Sequence, residues 1–360
     1  MATTLAFNPA ATLAADAAGH RRADDRAMLR AAAELTRDLQ AVRPAVYWGD
    51  MLGSALLGYA ALAGAVLLDG PLAVVAGLVA ILALYRAGSF IHELTHIKHR
   101  DLPWFRFGWN AVVGVPLLVP SFMYEGVHQL HHAKTRYGTA DDPEYLPLAL
   151  MKPWTLPVFI MVSALAPVAL LLRFALLAPL SALVPSLRQL VVEKWSGLQI
   201  NPGFRRRAAD GELRRQWLVQ ETACSLWALT LLALVLSGTV PLRVFAIFLA
   251  VAAGVMVLNQ VRTLVAHLWQ NEGEAMSVTA QYLDSVNVPP PTTLPALWAP
   301  VGLRYHALHH LLPSLPYHAL GEAHRRLSAA LEQDSPYHAS SHRGLPTLVA
   351  RISRSTWTRR

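Results

Sequence analysis

Nine of the fifteen histidines in this chain sit in tight groups whose spacing suits metal ligation. His92 and His96 are four apart, with Glu93 between them and His99 following. His128, His131 and His132 form a second group, and His306, His309 and His310 a third. Residues three and four apart on a helix share a face, so each group can aim its rings at one point. His267 stands alone between the second and third groups. Imidazole suits iron, zinc, copper and nickel. Three or four such rings saturate one ion, so the nine made up of His92, His96, the second and third groups and His267 suggest two ions. Cys224 is the one cysteine. It cannot build an internal disulfide, a four-thiolate zinc site or a cysteine-held iron–sulfur cluster within the chain. With no thiolate ligands, and with positions left open for oxygen, iron is the leading metal.

Isolated histidine clusters arise by chance on surfaces. Two HxxHH groups and one HxxxH group on one side of a membrane protein do not. His99 reads as a surface residue or one that lies beside the ligands. Glu93 reads as a carboxylate bonded to a ligand or a solvated one. His318, His324, His338 and His342 lack partners at useful spacing and read as ordinary.

The elements that must position these groups are apolar. Hydrophobic residues make up 54% of the 360 and charged ones 15%. A bilayer crossing needs about 20 apolar residues. Four segments qualify: 47–68, 71–90, 222–240 and 242–258. Asp69 and Gly70 join the first two, and a short turn around Pro241 joins the others, giving two transmembrane hairpins. The outer turns hold no Lys or Arg apart from Arg243 just past the second. Lys98, Arg100, Arg205–Arg207 and Arg304 fall on the other side. By the positive-inside rule both termini and all the histidine groups are expected in the cytoplasm. The net charge of +8 is explained by that topology without nucleic acid.

The expected fold is all-α: an integral membrane protein with four transmembrane helices in two hairpins and a cytoplasmic helical cap carrying the histidines. Segment 112–122 is too short to span. Segment 154–192 is long, but Pro157, Pro167, Pro179 and Pro185 interrupt it and Arg173 sits mid-way. It reads as an interfacial helix pair or a shallow hairpin, and a single crossing is excluded if Arg205–Arg207 is cytoplasmic. Residues 1–40 read as a tail, disordered over 1–20 with no signal peptide, then a polar helix over 24–39. Residues 41–345 form the membrane domain and 346–360 a basic tail. No internal repeat or Gly-rich phosphate loop is present.

His92, Glu93 and His96 also spell HExxH, the zinc peptidase signature. A mononuclear zinc site would leave the other clustered histidines idle. A metal transporter would place its ligands within the spans near the midplane, whereas these lie outside them.

The order HxxxH, HxxHH, HxxHH after paired hairpins resembles the membrane fatty acid desaturase family over roughly residues 45–330. Segment 138–145, with Asp142 and Pro143, is similar to the Asp-Pro stretch that follows the second box in that family. Residues 311–316 resemble its HHLFPxLP stretch, and His267 its extra histidine before the third box. The resemblance implies that His92, His96, His128, His131, His132, His267, His306, His309 and His310 hold two iron ions, with Glu93, His99 and Asp142 beside them. It also implies molecular oxygen and an external electron donor, either a ferredoxin, a rubredoxin or a cytochrome b5-like protein with its reductase. No GxGxxG follows a strand, so no reductase module is seen in the chain. The implied substrate is an acyl lipid or acyl thioester, and the leading reaction is desaturation. HELTHIKH at 92–99 is also similar to alkane hydroxylases, so hydroxylation or ketolation of a lipid, alkane or carotenoid is the alternative. Arg205–Arg207 with Arg214 and Arg215 read either as a docking site for an acidic partner or as topology signals.

Overall fold

The computed structural model describes residues 24–292 and 294–358. The expected tail over 1–20 lies outside the described residues. Among the described residues the fold is helical, with isolated β-bridges and no strand.

Pro44–Leu67 and Gly70–Leu94 form the first hairpin, each starting with proline in its first turn, where the missing N–H costs nothing. Gly70 turns the chain at φ +60, a conformation that a Cβ disfavours. Gly211–Leu236 and Leu242–Leu264 form the second hairpin. The hairpins meet closely: a Cβ on Gly254 would stand 2.4 Å from Ile81 Cδ1, so a larger residue there would force the Ile81 side chain to move. Leu56, Leu67, Leu72, Val74, Leu236 and Leu242 point outward and exposed, as a lipid-facing surface requires.

Among the described residues five helices are long and apolar enough to cross a membrane, one more than the four read from the sequence. The fifth is Thr155–Leu183, 29 residues long. It absorbs its prolines at a 3₁₀ turn, Val162–Leu165, and a π turn, Arg173–Leu177, instead of breaking there. Arg173 is buried and paired with Glu221 at 2.6 Å, and Arg188 holds the other Glu221 oxygen at 2.6 Å. Pro185–Trp195 then folds back, with the carbonyl of Trp195 accepting from Arg173 Nε. Segment 112–122 does not span. It is a helix-and-turn pinned where Asn110 Nδ2 donates to Ser121 Oγ at 2.9 Å.

Past the histidine-bearing ends lies a cap of short helices. Arg26–Leu35, capped by Asp25, buries Met28 and Ala32. Those two residues join Leu320, Ala323 and Leu327 of Leu320–Ala330 in one core. The segment 346–360 carries the helix Leu345–Thr358, which buries Leu348, Ile352 and Thr356 on one face.

Candidate metal centre

A helix of 25 residues is about 37 Å long, longer than the roughly 30 Å of bilayer hydrocarbon. Gly70–Leu94 is thus long enough to cross that layer and carries His92 and Glu93 at its C-terminal end. His96 follows in the turn after it. His267 lies three residues past the end of Leu242–Leu264, and both helices end on the same side. The second group sits on the single turn His128–His131, the third on His306–Leu311. In the third group Leu308 N donates to Asn287 Oδ1 at 3.1 Å, which fixes the turn against the cap.

The nine rings converge into two sets. His92, His96, His128, His132 and His309 place their candidate ligand atoms within 4.8 Å of one another; so do His131, His267, His306 and His310. The sets abut, with the His132 and His310 rings stacked at 4.2 Å. Each set borrows across the chain. His309 from the third group joins rings of the first and second, and His131 from the second joins rings near the C-terminal end.

The spacing fits metal ions. Nε2–Nε2 separations are 3.0 Å for His128–His132 and His267–His306, 3.1 Å for His96–His309, and 3.2 Å for His132–His309 and His306–His310. Metal–nitrogen bonds of about 2.1 Å hold neighbouring nitrogens about 3.0 Å apart when the bond angle is near 90°. Carboxylates orient two of the rings. His131 Nδ1 lies 3.0 Å from both Asp142 oxygens, and His128 Nδ1 lies 2.9 Å from Glu144 Oε1. A ring that donates Nδ1–H to a carboxylate presents a bare Nε2 lone pair to its neighbours. Such lone pairs repel unless a cation lies between them. Carboxylate–histidine–metal chains of this kind fix ring orientation and raise ligand basicity.

Burial keeps most of these rings neutral, the form that binds metal. It pushes His96 down to about 3. His128, His132, His267, His306, His309 and His310 are held well below the usual range, first by burial and then by neighbouring charges. His131 differs. Burial works against its imidazolium, yet Asp142 outweighs burial and leaves the pKa raised. Glu144 is pushed up to about 7 by burial.

Several partners were not legible from spacing. Tyr124 Oη lies 2.9 Å from His128 Nδ1 and donates to Glu144 Oε2 at 2.9 Å. Tyr137 Oη lies 2.8 Å from His267 Nδ1 and donates to Asp284 at 2.8 Å. Arg262 Nη2 lies 3.0 Å from His306 Nδ1. Gly138 adopts φ +72 and donates its N–H to Asp142 at 2.8 Å. Glu144 lies within the Asp-Pro segment, and that was its one sequence signal.

The residues expected beside the ligands divide. Asp142 bonds His131 as described. Glu93 accepts from Tyr47 Oη at 2.6 Å and from Tyr317 N at 3.2 Å, with its other oxygen 3.6 Å from His92 Nδ1. A peptidase base must face the metal-bound water, and this carboxylate is tied behind the ring. His99 is exposed in the loop after the first group, outside both sets. His324 is buried and lies 2.9 Å from Tyr337 Oη, in the cap core.

The sequence model for fatty acid desaturases matches residues 69–341. The chain belongs to the fatty acid desaturase family. Within this family it is similar to a ceramide hydroxylase of Caulobacter vibrioides, 51% identical over 326 residues, which cover 90% of this chain and 93% of the relative. No solved structure matches it. Family and relative make this desaturase-family chain an oxidoreductase of the membrane, in a class that uses histidine-held iron pairs.

Asp142→Asn tests the orientation of the second set. We expect a 10- to 100-fold loss of metal affinity or activity, roughly the cost of removing a partner of a metal-bound histidine. Metal content after dialysis against graded chelator measures it. A variant that retains its metal as the parent does would remove Asp142 from the site.

Proposed function

We propose that the chain hydroxylates an aliphatic carbon of a ceramide-type lipid, with two iron ions held by the nine histidines. The paired sets of five and four convergent imidazoles carry the metal part of this reading. The 51% identity to a ceramide hydroxylase across nearly the whole chain supports the substrate class and reaction. Desaturation, the leading expectation from the sequence, gives way to hydroxylation on that likeness.

An alkyl C–H bond is too weakly acidic for proton abstraction, so the hard step belongs to the cofactor. Bound irons supply an oxidant from dioxygen, so that R–H, O₂, two electrons and two protons give R–OH and water. The protein holds and screens that centre. Asp142 and Glu144 orient His131 and His128. Tyr137 and Ser285 position His267. Burial of the rings keeps bulk water off the second set, whose four histidines are all buried. The apolar helices hold the lipid chain, each buried CH₂ contributing roughly 0.8 kcal/mol. The histidine-bearing end faces the cytoplasm in this reading. The hairpin turns at the other end carry Arg243, which lies 3.8 Å from Asp69. The electrons come from a separate carrier with its reductase.

The test is expression in a host that makes ceramides but lacks related oxidases, with mass spectrometry of its sphingolipids. A ceramide heavier by one oxygen atom is expected. A product lighter by two hydrogens, with no heavier species, would return the reading to desaturation. The unchanged lipid profile in the presence of a working electron donor would remove ceramides as the substrate.

A further inference from the structure

Two of the nine candidate ligands are less buried than the rest: His96 and His132, both in the five-ring set. Their rings lie 4.7 Å apart, edge to face, where the loops after the first and second groups meet. Gln129 Nε2 donates to the carbonyl of Thr95 at 3.0 Å and ties the first and second groups together. Of the nine rings, these two are the ones that solvent reaches most.

Basic residues follow both histidines closely in the chain. Lys98 and Arg100 are exposed two and four residues after His96. Lys134 is exposed two residues after His132, and half-buried Arg136 follows. Two of them have acidic neighbours: Asp101 is 3.4 Å from Arg100, and Asp24 is 3.4 Å from Lys134, whose side chain is still 63% exposed. The arginine triplet suggested by sequence is a poorer surface. Arg206 is buried, stacks over Trp217 at 3.9 Å and donates to the carbonyls of Ser196 and Glu125. It is part of the core.

Resting on the two-iron reading above, we propose that the face formed by Lys98, Arg100, Lys134 and Arg136 over His96 and His132 docks an acidic one-electron carrier protein. Each docking oxidises the carrier by one electron, and two dockings supply the two electrons that hydroxylation consumes. Complementary charge steers such encounters and raises their rate, with a strong dependence on ionic strength. The positive-inside rule explains basic residues anywhere on this side; Lys98, Arg100, Lys134 and Arg136 stand apart because they follow within four residues of His96 and His132, the two candidate ligands that are less buried.

The experiment uses the full chain in nanodiscs and a small acidic plant-type ferredoxin as probe. Binding of the oxidised ferredoxin is measured at low and high salt, which reads docking without any need for hydroxylation. A K98E/K134E variant is expected to bind at least tenfold more weakly at low salt, and the difference should shrink as salt rises. An R214E/R215E variant, which reverses exposed charges at the start of the second hairpin, should bind within about twofold of the parent. Equal weakening in both variants would make the attraction a general field and overturn the docking face. So would unchanged binding in K98E/K134E, or failure of the parent to bind ferredoxin. Product formation driven by dithionite through a small viologen dye is a separate readout. If the parent binds ferredoxin but makes no hydroxylated lipid by either route, the proposed reaction fails and the docking face stands.

Discussion

His131→Ala and His309→Ala are each expected to abolish lipid oxidation while leaving the protein inserted in the membrane. Losing a residue beside a ligand costs 10- to 100-fold, so losing a ligand should lower activity by at least about 100-fold. The two variants should differ in which ion they lose. His131 is one of four rings in its set, and its removal leaves three. His309 is one of five, and it lies within 3.2 Å of both His96 and His132, so its loss opens the middle of the set. Iron per chain should fall from near two toward one in His131→Ala, measured by elemental analysis of purified protein. His338→Ala, at a histidine outside both sets, should keep both ions. An His131→Ala protein that retains two irons and most of its activity would make the cluster structural.

Glu221→Ala should destabilise the fold by about 3–5 kcal/mol, because it leaves buried Arg173 without its counter-ion. Both charged groups of the Arg173–Glu221 pair are under a tenth exposed. The same carboxylate ties Arg188, so one substitution loosens Thr155–Leu183, Pro185–Trp195 and Gly211–Leu236 together. Unfolding in mixed micelles at graded denaturing detergent measures the change. Replacing Arg173 and Glu221 together with leucine should recover most of it, since a buried pair is replaced by apolar contact at little net cost. A loss under about 1 kcal/mol in Glu221→Ala would show that water reaches the pair.

The histidine groups were legible because their information is local: three or four positions separate the residues that act together. The two hairpins were legible because apolar length is also local. Thr155–Leu183 was not, for two physical reasons. Prolines that read as breaks are taken up by irregular turns within one helix. The charge of Arg173, which argued against a span, is neutralised by a residue 48 positions away. The same distance problem hid the partners of the rings. Tyr137 and Asp284 are 147 positions apart, and Arg262 and His306 are 44 apart. Single tyrosines and arginines leave no spacing pattern. Arg206 shows the reverse error: three consecutive arginines suggest a surface, but the middle one is folded inward over Trp217.

The exchange of one histidine between the two sets has a consequence for assembly. Four candidate ligands of one set precede the long helix Thr155–Leu183 and the fifth, His309, comes from near the C-terminal end. Three candidate ligands of the other set lie in the C-terminal half, and the fourth, His131, is lent by the N-terminal half. An ion in either set would clamp the two halves of the chain together and preorganise the candidate ligands of the other. The entropy of ordering would then be largely spent on the first ion, and the second is expected to bind more tightly. Loading should be cooperative, with singly occupied protein scarce in a titration, and neither set can be completed until translation has reached His309.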